Sequence, residues 1–172
     1  LQYDGEIPEG GTVAIETSLD DTRYFAVRCV ALPDRRTVAT VEFVADTFSE
    51  MLAHVERLCA NPLVKFAITP TVDNHWPLSL ERRRVVVGYG EILKFTPSVK
   101  NMINEKLLWH DGSNQLAEHV SRAVAVRSQN SIALSSQRSP GPIELARCMV
   151  WAAALTSRPT SSGKPMLVVS NG

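Results

Sequence analysis

The sequence predicts an α/β domain with a mixed β-sheet, and two features of its first half carry this prediction. Three stretches between residues 12 and 44 have the alternating or β-branched character of strands, and short polar turns separate them. A stretch with helical periodicity follows, and a short apolar run comes after it. Strands joined by tight turns pair antiparallel, whereas strands joined through a helix pair in parallel. We therefore expect an antiparallel meander plus parallel strands, flanked by helices.

The predicted strands are segments rich in β-branched and aromatic residues that lie between turn-forming residues. They cover residues 12–17, 24–32, 37–44, 63–68 and 84–88, with a short apolar strand at 107–109 and an edge strand at 131–134. The 63–68 strand is reached through a helical crossover. We therefore expect it to lie beside the first strand and parallel to it.

The predicted helices are segments whose apolar residues recur every three or four positions. They cover residues 48–59, 78–83, 91–106, 115–126 and 143–155. Asp46 or Thr47 is the expected N-cap of the first helix, and Pro97 is expected to interrupt the third. One face of the last helix consists of Ile143, Ala146, Val150 and Ala154. Small residues allow close approach, so we expect this helix to pack across the sheet near the first strand.

The composition is that of an ordinary globular domain. The chain has 172 residues, 44% of them hydrophobic, and its 18 basic residues equal its 18 acidic residues. A protein that coats nucleic acid is usually basic, so zero net charge argues against that class, although not against a metal-dependent nuclease. No apolar run reaches the roughly 18 residues of a membrane helix. We expect a lead-in at residues 1–11, one domain at 12–156 and a flexible tail at 157–172.

The stretch between residues 107 and 154 carries the most specific pattern. It reads L-L-W-H-D-G, then an amphipathic helix, then Q-R-S-P-G-P-I-E-L-A-R at the start of an Ala-rich helix. This order resembles the C-terminal end of the nuclease domain in large terminase subunits of tailed phages, which belong to the ribonuclease H-like group. The resemblance implies that fold and an endonuclease that cuts concatemeric DNA during genome packaging. It further implies Mg²⁺ or Mn²⁺ as cofactor, double-stranded DNA, the phage portal and the small terminase subunit as partners, and the host cytoplasm as location.

The resemblance also implies three places for acidic metal ligands: the middle of the first strand, the end of the fourth strand and the start of the last helix. Hard divalent cations prefer oxygen ligands, and a pair of such ions needs several carboxylates at one point. Glu16 holds the first place, where the family usually has Asp, and Glu144 holds the third. Thr69 holds the second place, so Asp73, four residues on, is the expected replacement. We expect Glu16, Asp73 and Glu144 to converge as catalytic metal ligands.

Further polar residues are expected around this site. His110, in an H-x-G phrase that matches the family, is expected at the rim of the cluster as a catalytic residue. Arg138 lies where the family often has a basic residue before the last helix. The run Arg82-Arg83-Arg84 is the strongest basic cluster of the chain. We expect these four arginines to contact the DNA backbone.

Each acidic candidate also has an ordinary structural interpretation. Glu16 suits a polar strand position, Asp73 a loop or cap, and Glu144 a helix start, where the helix dipole favours an acid. Two hypotheses stay open: a metal-dependent endonuclease with an atypical acidic set, and a terminase-like domain that has lost catalysis and docks DNA or the portal. A different ribonuclease H-like protein, such as an ATP-binding fragment or a resolvase, is a third. The G-x-x-x-x-G-K-[ST] motif of an ATPase motor is absent from this sequence.

Overall fold

The computed structural model describes residues 1–128, 131–135, 139 and 141–158, so residues 159–172 of the predicted tail lie outside it. The strands, in chain order, are β1 (Thr12–Thr17), β2 (Tyr24–Ala31), β3 (Thr37–Ala45), β4 (Lys65–Ile68), β5 (Arg84–Val86), β6 (Leu108–His110), β7 (Val124–Ser128) and β8 (Ser131–Ser135). The α-helices are α1 (Phe48–Leu58), α2 (Pro70–Asp73), α3 (Tyr89–Asn104), α4 (Asn114–Arg122) and α5 (Glu144–Ser157), and a 3-10 helix covers Leu78–Arg83. Among the described residues, no helix combines the length and the apolarity needed to cross a membrane.

Six of these strands form one mixed sheet, in the order β5-β4-β1-β2-β3-β6. β1, β2 and β3 are antiparallel neighbours, and β4 runs parallel to β1 with Ile68 opposite Ile15. β5 pairs in parallel with β4, and β6 pairs in parallel with β3. The predicted meander is confirmed, and so is the parallel placement of the fourth strand beside the first.

Four local elements differ from the sequence prediction. Pro97 does not interrupt the third predicted helix, because α3 runs without a break from Tyr89 to Asn104. The strand Ser131–Ser135 is not an edge of the large sheet, because it pairs with β7 in a separate two-stranded sheet. The fourth helix ends at Arg122, and the following run of Val and Ala residues forms β7. A loop was expected after β4, but α2 begins there, with Thr69 as N-cap and Pro70 as its first residue. Proline suits this position because the first helical N–H has no partner within the helix.

The sheet separates two apolar cores, because side chains alternate between its faces along each strand. On one face, Val13 and Ile15 of β1 pack with Met51 of α1. Thr47 caps α1, as one of the two expected candidates, and its hydroxyl accepts the Glu50 N–H at 3.1 Å. Ala14 and Glu16, which alternate with Val13 and Ile15 along β1, therefore face the opposite side of the sheet.

The helix α5 is the centre of the second core. It lies across β1 and β2 on the face of Ala14, and α3 and α4 pack against it. Ten of its 14 residues are buried, so the sheet and the neighbouring helices cover it on more than one side. Trp151 is fully buried, and its ring N–H donates to the carbonyl of Gly88 at 3.2 Å. The expected packing of this helix near the first strand is confirmed.

The first residues of the chain extend the sheet at its β6 edge. Gln2 forms a parallel bridge with His110. The N–H of Tyr3 donates to the carbonyl of His110 at 2.9 Å, and the N–H of His110 donates to the carbonyl of Leu1 at 3.0 Å. These three residues, which the sequence analysis included in a lead-in, therefore continue the hydrogen bonding of the sheet.

Candidate functional site

Two buried acids meet where β1 passes beneath the start of α5. Along β1, Glu16 shares the face of Ala14, which belongs to the α5 side of the sheet. Glu144 is the first residue of α5, and the packing of that helix on β1 brings it to the same side. The two side chains are only 9% and 5% exposed. The structure therefore places these two acids on facing elements, and they interact electrostatically.

A guanidinium from α5 pairs with one of these acids, Glu16. Nη2 of Arg147 is 3.2 Å from Oε1 of Glu16, and both side chains are largely buried. The guanidinium also stacks over the ring of Trp151, at 5.2 Å from the ring centre. Three and four residues separate Arg147 from Glu144 and Trp151, which places all three on one side of the helix. Arg147 is thus oriented by its own helix and aimed at β1.

Burial raises the pKa of Glu16 to about 8. Arg147 opposes this rise and Glu144 adds to it, but the loss of solvation is the largest cause. Formally, two carboxylates and one guanidinium leave one negative charge unbalanced. A proton held by Glu16 removes that charge, so the buried group avoids the cost of an uncompensated ion.

His119 approaches the pair from α4. This side chain is buried, and its Nδ1 accepts the backbone N–H of Leu145 at 3.0 Å. Burial is the largest cause that lowers the pKa of His119 to about 4, and Arg122 lowers it further. Because Nδ1 accepts a hydrogen bond, the imidazole is neutral and carries its proton on Nε2. The 4.0 Å approach between Nδ1 and Oε2 of Glu144 is therefore not an ion pair. His119 instead satisfies one N–H in the first turn of α5.

Several oxygen atoms of this region have no hydrogen-bond partner. They are Oε2 of Glu16, Oε2 of Glu144 and Oγ1 of Thr69, and all three are buried. Thr69 follows Ile68, whose partner across the parallel pair is Ile15, so Thr69 is in line with Glu16. Its hydroxyl does not cap α2. Buried polar atoms are rarely left unsatisfied, so these three oxygens mark the place as unusual for a core.

Asp73 does not join the acid pair. The chain enters α2 directly after β4, and Asp73 is the last residue of that helix, one turn beyond Thr69. There its carboxylate pairs with the guanidinium of Arg84 at the start of β5. Within residues 1–128, 131–135, 139 and 141–158, no three His, Cys, Asp or Glu side chains are placed to share a metal ion. The structure does not bring Asp73 to Glu16 and Glu144, because its carboxylate is held by Arg84.

His110 also lies away from the acid pair. It ends β6, and two strands, β2 and β3, separate β6 from β1. The strand registers put His110 in line with Thr12, four residues before Glu16. At the usual strand spacing and rise, the main chains of His110 and Glu16 are therefore roughly 19 Å apart. Its Nδ1 accepts the N–H of Gly112 at 3.0 Å. The structure does not place His110 beside Glu16 and Glu144, because the sixth strand joins the sheet at its far edge.

The three arginines of the basic run, Arg82, Arg83 and Arg84, have different surroundings. Arg83 donates four hydrogen bonds to the carbonyls of Cys59, Asn61 and Val64, so its guanidinium fastens the segment after α1. Arg84 pairs with Asp73. Only Arg82 of the three is exposed. Arg138 lies outside the described residues. The basic run therefore offers one unengaged guanidinium to a phosphate backbone.

The sequence analysis missed Arg147 and His119. Each carries a local signal that is weaker than a motif. Arg147 is the single charged residue within the apolar run that follows Glu144 on the last helix. His119 is three residues from Leu116, and both are on the buried face of an otherwise polar helix. A polar residue on a buried helix face requires a partner, and this requirement is the signal that identifies both.

A groove of about 550 Å³ reaches Glu144 of the acid pair. The turn between β1 and β2 forms one wall, and the segment that enters α5 forms the other. Leu19 and Arg23 lie on the first wall, and Pro142 and Glu144 on the second. The mostly buried carboxyl of Glu144 is thus adjacent to a surface depression into which a ligand could enter.

The residues of the site fit a two-metal centre poorly. Glu16 and Glu144 have the oxygen chemistry that a hard cation prefers, and each has one oxygen without a partner. However, a guanidinium already contacts Glu16, a threonine holds the second ligand place, and Asp73 is paired elsewhere. Two carboxylates are too few to bridge a pair of divalent ions.

The fold matches a known structure. The crystal structure of the HK97 bacteriophage large terminase superimposes with a TM-score of 0.74 over 90% of this chain, at 9% sequence identity. This chain corresponds to 41% of the length of that terminase chain. No protein-family model and no curated protein matches the sequence. The similarity shows the fold, an α/β arrangement with a mixed sheet, as the ribonuclease H-like resemblance implied.

Proposed function

We propose that this chain works in phage DNA packaging as the nuclease-type domain of a large terminase subunit. The support is the fold shared with the HK97 terminase, together with the order of elements in the last third of the chain. Fold alone does not determine function, so the chemistry must come from the site. The expected partners are double-stranded DNA, the phage portal and the small terminase subunit, and the setting is the cytoplasm of the host.

Within that role, the domain docks DNA or the portal and does not cut DNA. One observation carries this choice: the three ligand places hold Glu16 paired with Arg147, a threonine, and Glu144 with no third acid beside it in the part of the chain that the structure describes. Two-metal cleavage requires several carboxylates around ions about 3.5–4 Å apart. A domain without this set retains its surface and its packing, which are sufficient for docking.

Metal-dependent cleavage is the second candidate, because one observation favours it. Glu16 and Glu144 are both buried with an unpartnered oxygen, and such an arrangement is costly unless it serves a purpose. Glu16 and Glu144 would hold Mg²⁺ or Mn²⁺, which would activate water and stabilise the leaving oxygen. Asp73 would have to leave Arg84 to take part.

Plasmid cleavage separates the two candidates. The protein is incubated with supercoiled plasmid at millimolar Mn²⁺ or Mg²⁺, with EDTA and Glu16→Gln as controls. We expect the plasmid to stay intact under all conditions. Cleavage that is abolished both by EDTA and by Glu16→Gln would establish the endonuclease instead. Cleavage that persists in Glu16→Gln would indicate a contaminating nuclease.

Duplex binding tests the docking role directly. A short fluorescent DNA duplex is titrated with the protein at several salt concentrations, and anisotropy is measured. We expect weak binding that declines with salt, because phosphate contacts release counterions. Arg82→Ala should weaken it. A domain that binds neither the duplex nor the portal of the same phage would contradict the proposed docking role.

A further inference from the structure

We propose that Arg147 supplies from within the chain the positive charge that a divalent cation would supply to this acid pair, so that its removal converts Glu16 and Glu144 into a site for one divalent cation. This inference deepens the non-cleaving form of the proposed function and rests on it. It concerns a latent metal site that the native side chains keep closed.

The position of Arg147 is the first support. Its Nη2 lies 3.2 Å from Oε1 of Glu16, in surroundings that leave both side chains largely buried. The guanidinium is stacked over Trp151, whose ring is fixed in turn by its hydrogen bond to Gly88. A planar cation held on one side by an immobile ring has little freedom to leave the carboxylate. Arg147 is therefore a fixed component of the site.

The chemistry of the unpartnered oxygens is the second support. Arg147 leaves Oε2 of Glu16 and Oε2 of Glu144 without hydrogen bonds, and both atoms are inaccessible to solvent. Without the guanidinium, Glu16 would lose the positive charge of Arg147 while the unfavourable electrostatic effect of Glu144 remained. A hard cation with oxygen ligands is the natural counterion for such a pair. The unpartnered hydroxyl of Thr69, in line with Glu16, offers a neutral third oxygen.

The available space is the third support. Replacing Arg147 with alanine removes two methylene groups and the guanidinium between α5 and β1. Mg²⁺ and Mn²⁺ keep several water ligands, so a small number of protein oxygens is enough if there is room for water. The groove beside Glu144 provides a path for the hydrated ion. Removal of the Arg147 side chain therefore leaves the carboxyl groups in need of a cation and also opens the space for one.

The test compares Mn²⁺ binding among Arg147 variants, measured by electron paramagnetic resonance of free Mn²⁺ and by thermal unfolding. Arg147→Ala should bind one Mn²⁺ at least tenfold more tightly than the native protein, and its Tm should rise with Mn²⁺ and fall with EDTA. Arg147→Lys keeps a cation and should behave like the native protein. Glu16→Gln added to Arg147→Ala should abolish binding, because it removes a ligand.

Two results would overturn the inference. Equal Mn²⁺ affinity in the native protein and in Arg147→Ala would show that Arg147 does not exclude the ion. Absence of binding in a folded Arg147→Ala would show that no latent site exists. If Arg147→Ala fails to fold, Arg147→Gln keeps the stacking on Trp151 without the charge and takes its place. Plasmid cleavage by the native protein would reject the non-cleaving function, whereas a failure of these variants alone rejects only the inference.

Discussion

Thr69 is in line with Glu16 across the parallel pair of β1 and β4, and its backbone N–H donates to the carbonyl of Ile15 at 3.3 Å. The main chain thus brings the end of the fourth strand to the place where the resemblance requires the second acid. The side chain at that place is a hydroxyl, which is a poor ligand for Mg²⁺. The backbone thus places a hydroxyl, and not a carboxylate, in line with Glu16.

Thr69→Asp should restore the missing carboxylate. In EDTA the variant should be less stable than the native protein by about 1–3 kcal/mol, because a buried acid is added beside Glu16 and Glu144. Three acids against one guanidinium leave enough negative charge for a divalent cation, so Mn²⁺ should recover the lost Tm. Thr69→Asn is the neutral control and should not respond to Mn²⁺. A Thr69→Asp protein whose Tm ignores Mn²⁺ would contradict the alignment of these positions.

Glu16→Gln should flatten the stability profile between pH 4.5 and 8. Burial raises the pKa of Glu16 from 4.5 to about 8, so in this window the native state binds more protons than the unfolded state. The free energy of unfolding therefore falls as the pH rises, by at most roughly 5 kcal/mol. Urea unfolding at a series of pH values measures this slope. Glu118→Gln, at an exposed position, is the matched control, and parallel profiles for Glu16→Gln and the native protein would reject the assignment.

His119→Asn should reduce the fall in the free energy of unfolding that the native protein shows as the pH drops below 6.5. The pKa of His119 is lowered from 6.5 to about 4, so below pH 6.5 the unfolded state takes up a proton that the native state resists. This contribution is complete above pH 6.5 and is lost as the pH falls toward 4. Asparagine can still accept the Leu145 N–H but does not titrate. Subtracting the unfolding free energies of variant and native protein across this window should give a sloped line, and a flat difference would contradict the neutral imidazole.

Arg83→Ala should destabilise the fold, whereas Arg82→Ala should not. The Arg83 guanidinium satisfies three carbonyls after α1, so its loss should cost about 2–3 kcal/mol in urea unfolding. Arg82 is exposed, and its removal should change stability by less than roughly 0.5 kcal/mol. Arg82→Ala should weaken DNA binding, whereas folded Arg83→Ala protein should bind DNA as the native protein does. Equal unfolding free energies for the two variants would contradict the structural role of Arg83.

Ala153→Leu should disturb the packing of α5. Ala153 is fully buried in the core between helix and sheet, and added methyl groups in such a core cost about 1–3 kcal/mol. Ala53→Leu makes the same substitution on an exposed face of α1 and should be nearly neutral. Calorimetry measures both changes in Tm. A native Tm for Ala153→Leu would show that α5 is not closely packed.

The fold could be predicted from the sequence because its signals are local. The alternation in β1, the Thr47 cap and the apolar spacing of α1 each lie within a few residues, and the meander follows from short turns. The place of β6 could not be predicted in this way. A three-residue strand contains little periodicity, and its pairing with β3 depends on how α3 returns to the sheet.

The candidate site was predictable only in part. Glu16 and Glu144 could be placed because one belongs to a clear strand and the other to a clear helix start. The position of Asp73 could not be predicted, because its partner Arg84 belongs to a different element. Ion pairs between elements produce no recognisable pattern in the local sequence. The same holds for His119, whose bond to Leu145 joins residues 26 positions apart. Pairing across elements is decided by tertiary packing.

The unequal edges of the sheet have a consequence for association between copies of this domain. At the β6 edge, Leu1 and Tyr3 occupy backbone groups of His110 that would otherwise be open to another strand. At the other edge, β5 exposes Val85 and Val86, and no described strand lies beyond it. Unpaired strand edges are where aggregation and strand exchange begin. Self-association through sheet extension should therefore begin at the β5 edge and not at the β6 edge. Val85→Lys should suppress this association without affecting the opposite edge.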